Sequence, residues 1–159
     1  MGEYDFKKDL STANETEKEI ADFLETKYKV KVLEFNDTNE YDLLVKKESG
    51  EMVTFEIKED FLCGETGNTV VEYECRGKPS GIAVTKADYY IYKMHTKQGI
   101  RYIFHKTKDI IKMIDDEKYI RVVNGGDKNS NSMNYLFRYK AFVSTGNIIA
   151  PWRATKNVV

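Results

Sequence analysis

The sequence has little cysteine and lacks long apolar runs. Cys63 and Cys75 are its two cysteines, and they form no CxxC pair, which argues against a disulfide framework or a zinc site. No stretch approaches the roughly 20 apolar residues that a membrane-spanning helix needs. The first residues do not form a positively charged, apolar secretion signal. We therefore expect a soluble, cytoplasmic protein without a membrane partner.

Several patterns that are typical of enzyme sites are also missing. The glycines form no GxGxxG or Walker pattern, so a nucleotide-binding loop is not predicted. His95 and His105 have no third ligand at metal-binding spacing. No combination of serine, cysteine and histidine indicates a covalent nucleophile. The candidates for chemistry are therefore charged residues, which make up 32% of the chain.

The length of 159 residues suits a single domain, and the hydrophobic content of 41% is sufficient for a core. Charge is distributed unevenly along the chain. Residues 1–75 contain 9 Lys and Arg against 20 Asp and Glu, whereas residues 76–159 contain 16 against 6. One interpretation is an acidic half that holds a metal ion and a basic half that meets a polyanion. In the alternative, the two halves interleave in one fold and their charges mix on the surface.

The spacing of apolar residues predicts a mixture of helices and strands. Helices are predicted over residues 12–28, capped by Ser11-Thr12 or Asn14, and over residues 106–116, capped by Thr107. Strands are predicted over residues 30–35, 41–47, 51–58, 87–94, 100–104, 119–123 and 135–143. Residues 62–68, 76–81 and 124–133 are predicted loops. Residues 69–74 fit either a strand or a short helix, and the tail from Thr145 has no clear period.

Charged residues occur in two adjacent predicted strands at the spacing Asp-x13-Glu-x-Lys. Alternate residues of a strand share a face, so Glu56 and Lys58 are neighbours on one side. The other side carries Val53, Phe55 and Ile57, which we expect to lie in the core. Asp42 lies in the preceding strand of the same predicted hairpin, close enough to join Glu56 at one edge.

This group suits the hydrolysis of a phosphodiester with a divalent metal ion. Mg²⁺ takes oxygen ligands, which Asp42, Glu56 and the backbone carbonyl of Ile57 can supply. The metal polarises a phosphate oxygen and lowers the pKa of a bound water, while Lys58 orients that water or stabilises the transition state. Glu17 lies on the inward stripe of the first helix, where a metal would compensate its charge. In the alternative, alternating charges in a strand simply form a solvated face.

The order of these residues resembles the PD-(D/E)xK nuclease superfamily, which includes restriction endonucleases and Holliday-junction resolvases. The match is Glu17 in a helix, Asp42 in a strand and Glu56-Ile57-Lys58 in the next strand, and it covers residues 12–60. Tyr41 stands where the superfamily has the proline that gives it its name. The segment of residues 71–92 is similar to small phage or prophage members.

The resemblance implies an α/β, restriction-endonuclease-like fold, with a central mixed sheet flanked by helices. It implies Mg²⁺- or Mn²⁺-dependent endonucleolytic cleavage of DNA that leaves 5′-phosphates, with branched DNA as one form of substrate. It assigns metal binding to Asp42, Glu56 and Glu17, and action on the water to Lys58. It also implies a homodimer, and a phage-encoded protein would act in the host cytoplasm.

The predicted loop of residues 76–81 is basic. Arg76, Lys78 and Ser80 would suit contacts to phosphates, which position a nucleic acid without reading its bases. In the alternative, this is an ordinary exposed turn. A competing hypothesis for the whole chain is a module that uses the same fold to hold nucleic acid or a protein partner without hydrolysis.

Overall fold

The computed structural model describes residues 14–36, 40–125 and 131–149. Its helices are α1 (Glu15–Tyr28), α2 (Cys63–Thr66), α3 (Thr107–Asp115) and α4 (Tyr139–Val143). Its strands are β1 (Lys31–Phe35), β2 (Leu43–Lys46), β3 (Met52–Asp60), β4 (Asn68–Cys75), β5 (Lys78–Pro79), β6 (Tyr89–Thr96), β7 (Gly99–Lys106), β8 (Arg121–Gly125), β9 (Ser132–Arg138) and β10 (Asn147–Ile149). A 3₁₀ turn, Gly81–Ala83, follows β5.

The strands form two sheets of different type. The central sheet has the order β1-β2-β3-β6-β7-β10 and is mixed, because β3 and β6 run parallel while its other neighbours are antiparallel. The smaller sheet has the order β5-β4-β9-β8 and is antiparallel. The prediction of an α/β fold with a mixed central sheet and helices is confirmed at this level.

The first helix begins at a well-formed cap and covers one face of the central sheet. Asn14 and Glu17 form a capping box, in which each side chain accepts from the other residue's backbone N–H. The helix ends at Lys29, which has a left-handed backbone with φ of 54°. Its buried side chains join a core with the inward face of β2 and β3, namely Ile20, Ala21, Phe23, Leu24, Leu43, Val45, Val53, Phe55 and Ile57. The predicted inward position of Val53, Phe55 and Ile57 is confirmed.

The opposite face of the central sheet packs against the smaller sheet and the later helices. This second core consists mainly of Tyr90, Tyr92, Met94, Ile103, Val71, Phe137, Ile110, Met113 and Phe142. Glu56 is in register with Tyr90 on the neighbouring parallel strand, and Lys58 with Tyr92. Residues in register on adjacent strands share a face. The central sheet therefore presents Glu56 and Lys58 towards the smaller sheet.

Several predicted elements are wrong in type or extent. The predicted strand of residues 135–143 ends at Arg138, and Tyr139–Val143 form α4, in which Phe142 and Val143 are buried. A short apolar and aromatic run fits either period, which explains the error. The predicted loop of residues 62–68 contains α2, and the tail from Thr145 contains β10.

The structure also decides two of the predicted helix caps and the segment that fitted either a strand or a helix. Thr107 is the first helical residue of α3 and provides no side-chain cap, so that prediction is wrong. Asn14 is the cap of α1, whereas Ser11 and Thr12 lie outside the described residues. The segment of residues 69–74, which fitted a strand or a helix, lies within β4.

The acidic and basic halves of the sequence interleave in space. The strand β3 from the first half pairs with β6 from the second, and β4 pairs with β9. The two halves therefore interleave in one fold, as the alternative interpretation expected, and are not separate layers. No helix in the described part of the chain is long and apolar enough to cross a membrane.

Candidate active site

Three of the predicted site residues meet where β2 begins beside β3. Asp42 directly precedes β2, and its backbone N–H donates to the carbonyl of Phe55 at 2.8 Å. Its carboxylate oxygen Oδ2 accepts from the backbone N–H of Ile57 at 2.7 Å. Glu56 lies one residue earlier on β3, and its Oε2 is 3.6 Å from the Nζ of Lys58. Asp42, Glu56 and Lys58 are thus brought together as predicted.

The two carboxylates lie in a poorly compensated environment. Burial raises the pKa of Asp42 to about 7, and the negative charges of Glu56 and Glu17 add to this effect. Burial also raises the pKa of Glu56, although the ammonium of Lys58 and the hydroxyl of Thr85 oppose the shift. The lysine therefore offsets only part of the cost of placing two carboxylates here. Such crowding is a common property of functional sites.

Glu17, the predicted metal ligand of the first helix, lies near the site and also caps its own helix. It is half-buried, and its Oε1 accepts from the backbone N–H of Asn14 at 3.1 Å as part of the helix cap. Its charge still raises the pKa values of Asp42 and Glu56, so it lies near the site. Two other acids of α1 bond to the central sheet: Oε1 of Glu19 accepts from Lys93 Nζ at 2.8 Å, and Oε2 of Glu25 accepts from the backbone N–H of Val32 at 2.8 Å.

The backbone carbonyl of Ile57 is suitably oriented for a ligand role. The N–H and the C=O of one strand residue point to the same edge of the strand. Since the N–H of Ile57 donates to Asp42, its carbonyl faces the same side, past the point where the pairing of β2 with β3 ends. The predicted oxygen donors therefore lie on one side of β3.

The basic loop is only partly available for phosphate contacts. Arg76 is exposed in the turn before β5 and has a left-handed backbone with φ of 53°, and Lys78 is exposed in β5. The hydroxyl of Ser80 donates to Oε2 of Glu72 at 2.7 Å. Within the described part of the chain, no ion pair joins Arg76 or Lys78 to the carboxylates of the site. The segment that follows this loop reaches the site at Thr85, whose hydroxyl lies near Glu56.

Two residues near the carboxylates were missed by the sequence-based prediction. The hydroxyl of Thr85 lies 3.3 Å from Oε1 of Glu56 and 3.1 Å from the carbonyl of Glu40. Tyr90 lies beside Glu56 on β6, with 1% of its surface exposed. The alternation of side chains along β6 could have indicated Tyr90, but Thr85 lies outside any regular element and gave no periodic signal.

The donor set fits a hydrated hard cation better than a closed metal site. Among the described residues, no group of three or more His, Cys, Asp and Glu side chains is placed to hold a metal ion. Mg²⁺ typically takes one or two carboxylates and keeps several waters. Asp42, Glu56 and the Ile57 carbonyl satisfy that requirement, and the raised pKa of Asp42 indicates negative charge that a cation would relieve.

A groove extends from Lys58 between the end of β3 and the smaller sheet. It has a volume of about 580 Å³, and its lining includes Phe61, Leu62, Val70, Arg121 and Asn134. Its lining has three acids: Asp60 accepts from Thr69 at 2.7 Å, Glu72 accepts from Ser80, and Glu59 lies 2.7 Å from Nε2 of His95. Lys58 and Arg121 are the two positively charged residues of this lining.

The fold and the site define an α/β protein whose mixed sheet holds a carboxylate pair and a lysine at one strand. Comparisons with protein families, curated proteins and solved structures gave no match to this chain. Membership of a family is therefore not shown. The resemblance to PD-(D/E)xK nucleases depends on the order of Glu17, Asp42, Glu56 and Lys58 in the sequence.

Proposed function

We propose that this chain is a Mg²⁺- or Mn²⁺-dependent endonuclease that hydrolyses DNA phosphodiester bonds on a restriction-endonuclease-like fold. The observation that carries the proposal is the convergence of Asp42, Glu56 and Lys58 at β3. The two carboxylates have raised pKa values, and the lysine lies 3.6 Å from Glu56. Few structural roles need two half-buried carboxylates beside a lysine whose side chain lines a groove.

Asp42, Glu56 and the Ile57 carbonyl would hold the metal, and the negative charge of Glu17 nearby would favour its entry. When bound, Mg²⁺ would polarise a phosphate oxygen and lower the pKa of a water. The hydrogen bond from Ile57 fixes the Asp42 carboxylate, and Thr85 restrains one oxygen of Glu56. The short bond orients Asp42 before a substrate arrives, whereas the longer contact from Thr85 allows the Glu56 side chain to turn.

Lys58 would act on the attacking water and on the phosphate. Its side chain is 37% exposed, so the ammonium can contact solvent and substrate while it stays near Glu56. The water oxygen bonds to phosphorus as the bond from phosphorus to the 3′-oxygen breaks, which leaves a 5′-phosphate and a 3′-hydroxyl. A positive charge beside the phosphate stabilises the negative charge that builds up on its oxygens.

The proposed substrate is DNA, with one strand following the groove from Lys58 towards Arg121. Arg76 and Lys78 would contact the backbone further along. A homodimer would cut both strands, and branched DNA is one form of the substrate. Light scattering with and without DNA measures the oligomeric state that this proposal expects.

Nicking of supercoiled plasmid tests the proposal directly. Wild-type protein is expected to nick the plasmid with Mg²⁺ or Mn²⁺ and to stop when EDTA is added. Lys58→Ala should reduce the rate by about 10²-fold or more, because a preorganised charge at the reacting phosphate is lost. Lys46→Ala, which removes an exposed lysine of the adjacent strand β2, should nick at the wild-type rate. Equal nicking by wild type and Lys58→Ala would end the catalytic assignment.

A second candidate function is a module that binds nucleic acid or a protein partner without hydrolysis. The observation in its favour is that the described residues contain no closed set of three or more metal-ligating side chains. Retention of labelled DNA by the wild type, without metal-dependent nicking under any of these conditions, would support the module over the enzyme.

A further inference from the structure

Tyr90 carries a buried hydroxyl without a hydrogen-bond partner in the described part of the chain. The residue is 1% exposed, so its hydroxyl is shielded from bulk solvent. Buried polar groups are normally hydrogen-bonded, and an exception needs an explanation. The next tyrosine on the same face of β6 shows the ordinary arrangement, because the hydroxyl of Tyr92 donates to the carbonyl of Val70 at 3.0 Å.

The unpartnered hydroxyl lies among acceptors that belong to the candidate active site. Tyr90 is in register with Glu56 on the adjacent parallel strand and shares its face of the sheet. Burial raises the pKa of Tyr90, and the negative charges of Glu56, Asp42 and Glu72 add to the shift. The hydroxyl of Thr85 nearby opposes the shift, but it forms no hydrogen bond of good geometry with the phenol. The phenol therefore stays protonated at neutral pH and is a donor beside carboxylates.

Glu56 is the carboxylate that this donor can serve. Its contacts are both long, at 3.3 Å from the hydroxyl of Thr85 and 3.6 Å from the ammonium of Lys58. A carboxylate offers about four lone-pair positions, and short charge-assisted bonds lie below about 3 Å. The Glu56 side chain is consequently held loosely, and it has acceptor capacity that these two contacts do not use.

We propose that Tyr90 is a positioning residue, whose hydroxyl donates to Glu56 when that carboxylate turns to hold a cation. This inference rests on the proposed function, and it adds a residue that the resemblance does not include. Carboxylates that bind metals are usually held by a hydrogen bond from a neighbouring group, and loss of that group typically weakens metal affinity about 10- to 100-fold. Tyr90 thus has its partner only in the loaded state.

The matched variants Tyr90→Phe and Tyr92→Phe test this role. Thermal unfolding without metal and Mn²⁺ binding by calorimetry are measured for both and for the wild type. Tyr90→Phe should keep or raise the melting temperature, because it removes an unpartnered polar atom, and should weaken Mn²⁺ binding about 10- to 100-fold. Tyr92→Phe should lower the melting temperature, because Val70 loses its donor, and should bind Mn²⁺ with wild-type affinity.

Each result decides the question. Wild-type Mn²⁺ affinity in Tyr90→Phe overturns the positioning role while leaving the proposed nuclease intact. A melting temperature lowered as much as in Tyr92→Phe overturns it as well, because the hydroxyl would then have a partner in the free protein. A wild type that neither binds Mn²⁺ nor nicks plasmid overturns the proposed function and this inference together. If the wild type binds Mn²⁺ but does not cut DNA, the comparison of Mn²⁺ affinity between the wild type and Tyr90→Phe still decides the inference.

Discussion

The carboxylate of Asp42 is held firmly in place although its ionised form is disfavoured there. The backbone N–H of Ile57 fixes one oxygen at 2.7 Å, while burial and the charges of Glu56 and Glu17 raise its pKa to about 7. The folded state therefore binds a proton that the unfolded chain releases near pH ~4. The folded protein therefore keeps a carboxylate whose ionised form is unfavourable and which a bound cation would stabilise. A carboxylate with such a raised pKa is more typical of active sites than of structural positions.

Asp42→Asn should stabilise the metal-free protein at alkaline pH. The raised pKa means that the free energy of unfolding falls as pH rises from about 4 to about 7, and the whole penalty is present above pH 7. Asn cannot ionise, yet its amide oxygen can still accept from Ile57. We expect a melting temperature roughly 5 °C above that of the wild type at pH 8, with the difference vanishing towards pH 4.

Calorimetric scans at pH 4, 6 and 8 provide the measurement. Mg²⁺ or Mn²⁺ should raise the melting temperature of the wild type at pH 8 and leave that of Asp42→Asn unchanged. Plasmid nicking should be lost in the variant. An Asp42→Asn protein that is less stable than the wild type at pH 8 would show that the ionised carboxylate is needed for the fold instead.

At the level of elements, the segment from β5 to Thr85 links the smaller sheet to the carboxylates. Ser80 bonds to Glu72 on β4, and Thr85 reaches Glu56 on β3. Gly81 allows this close packing, because its φ is +51° and a Cβ there would lie 2.2 Å from the carbonyl oxygen of Glu72. The obstructing atom belongs to the backbone of β4, so it cannot move aside as a flexible side chain would.

Gly81→Ala should therefore disturb both stability and the site. We expect a loss of about 2–3 kcal/mol in the free energy of unfolding and weaker Mn²⁺ binding, because the segment that carries Thr85 must move. The control is Gly77→Ala, since Gly77 also has a positive φ, of +78°, but a Cβ added there would meet no atom within 4 Å. It should cost about 1 kcal/mol and leave Mn²⁺ affinity unchanged. Urea unfolding and calorimetry separate the two effects, and equal Mn²⁺ affinity in both variants would rule out this link to the site.

The elements differ in how well local pattern determined them. The hairpin of β2 and β3 was predictable because strict alternation decides which residues face the core, and this alone brought Glu56 and Lys58 to one side. The helix at Tyr139–Val143 was not, because five residues are too few to distinguish helical from strand spacing. Thr85 and Tyr90 join the site through contacts with Glu56, from which they are far apart in the sequence, and local sequence spacing does not predict that β3 pairs with β6. Glu17 was predicted from its place on the stripe, whereas its capping bond with Asn14 depends on the start of the helix.

At the level of the whole molecule, the two sheets line one groove. The groove between them joins Lys58 on the central sheet to Arg121 on the smaller one. Neither sheet alone has both charges, and interleaving of the acidic and basic halves of the chain places them together. Backbone phosphates of a DNA strand could contact both side chains, so affinity should depend on salt.

Arg121→Ala should weaken DNA binding and reduce its dependence on salt. Loss of one phosphate contact lowers the slope of log affinity against log salt by about 1, whatever the DNA sequence. Lys108→Ala, which removes an exposed lysine of α3 outside the groove, is the control and should leave the slope unchanged. Fluorescence anisotropy at several salt concentrations measures both. The same slope for Arg121→Ala and the wild type would place the DNA elsewhere on the surface.

The turn between β2 and β3 has a consequence for how the sequence can change over time. The backbone bonds of Lys47 with Glu51 and of Gly50 with Lys47 close this turn and fix the pairing of Lys46 with Met52. Removing one residue here would shift β3 by one position and exchange its inner and outer residues. Charged side chains of β3 would then face the hydrophobic core, and Phe55 would face the opposite side of the sheet. We therefore expect the length of this turn to be constrained, and insertions or deletions to be better tolerated in other loops.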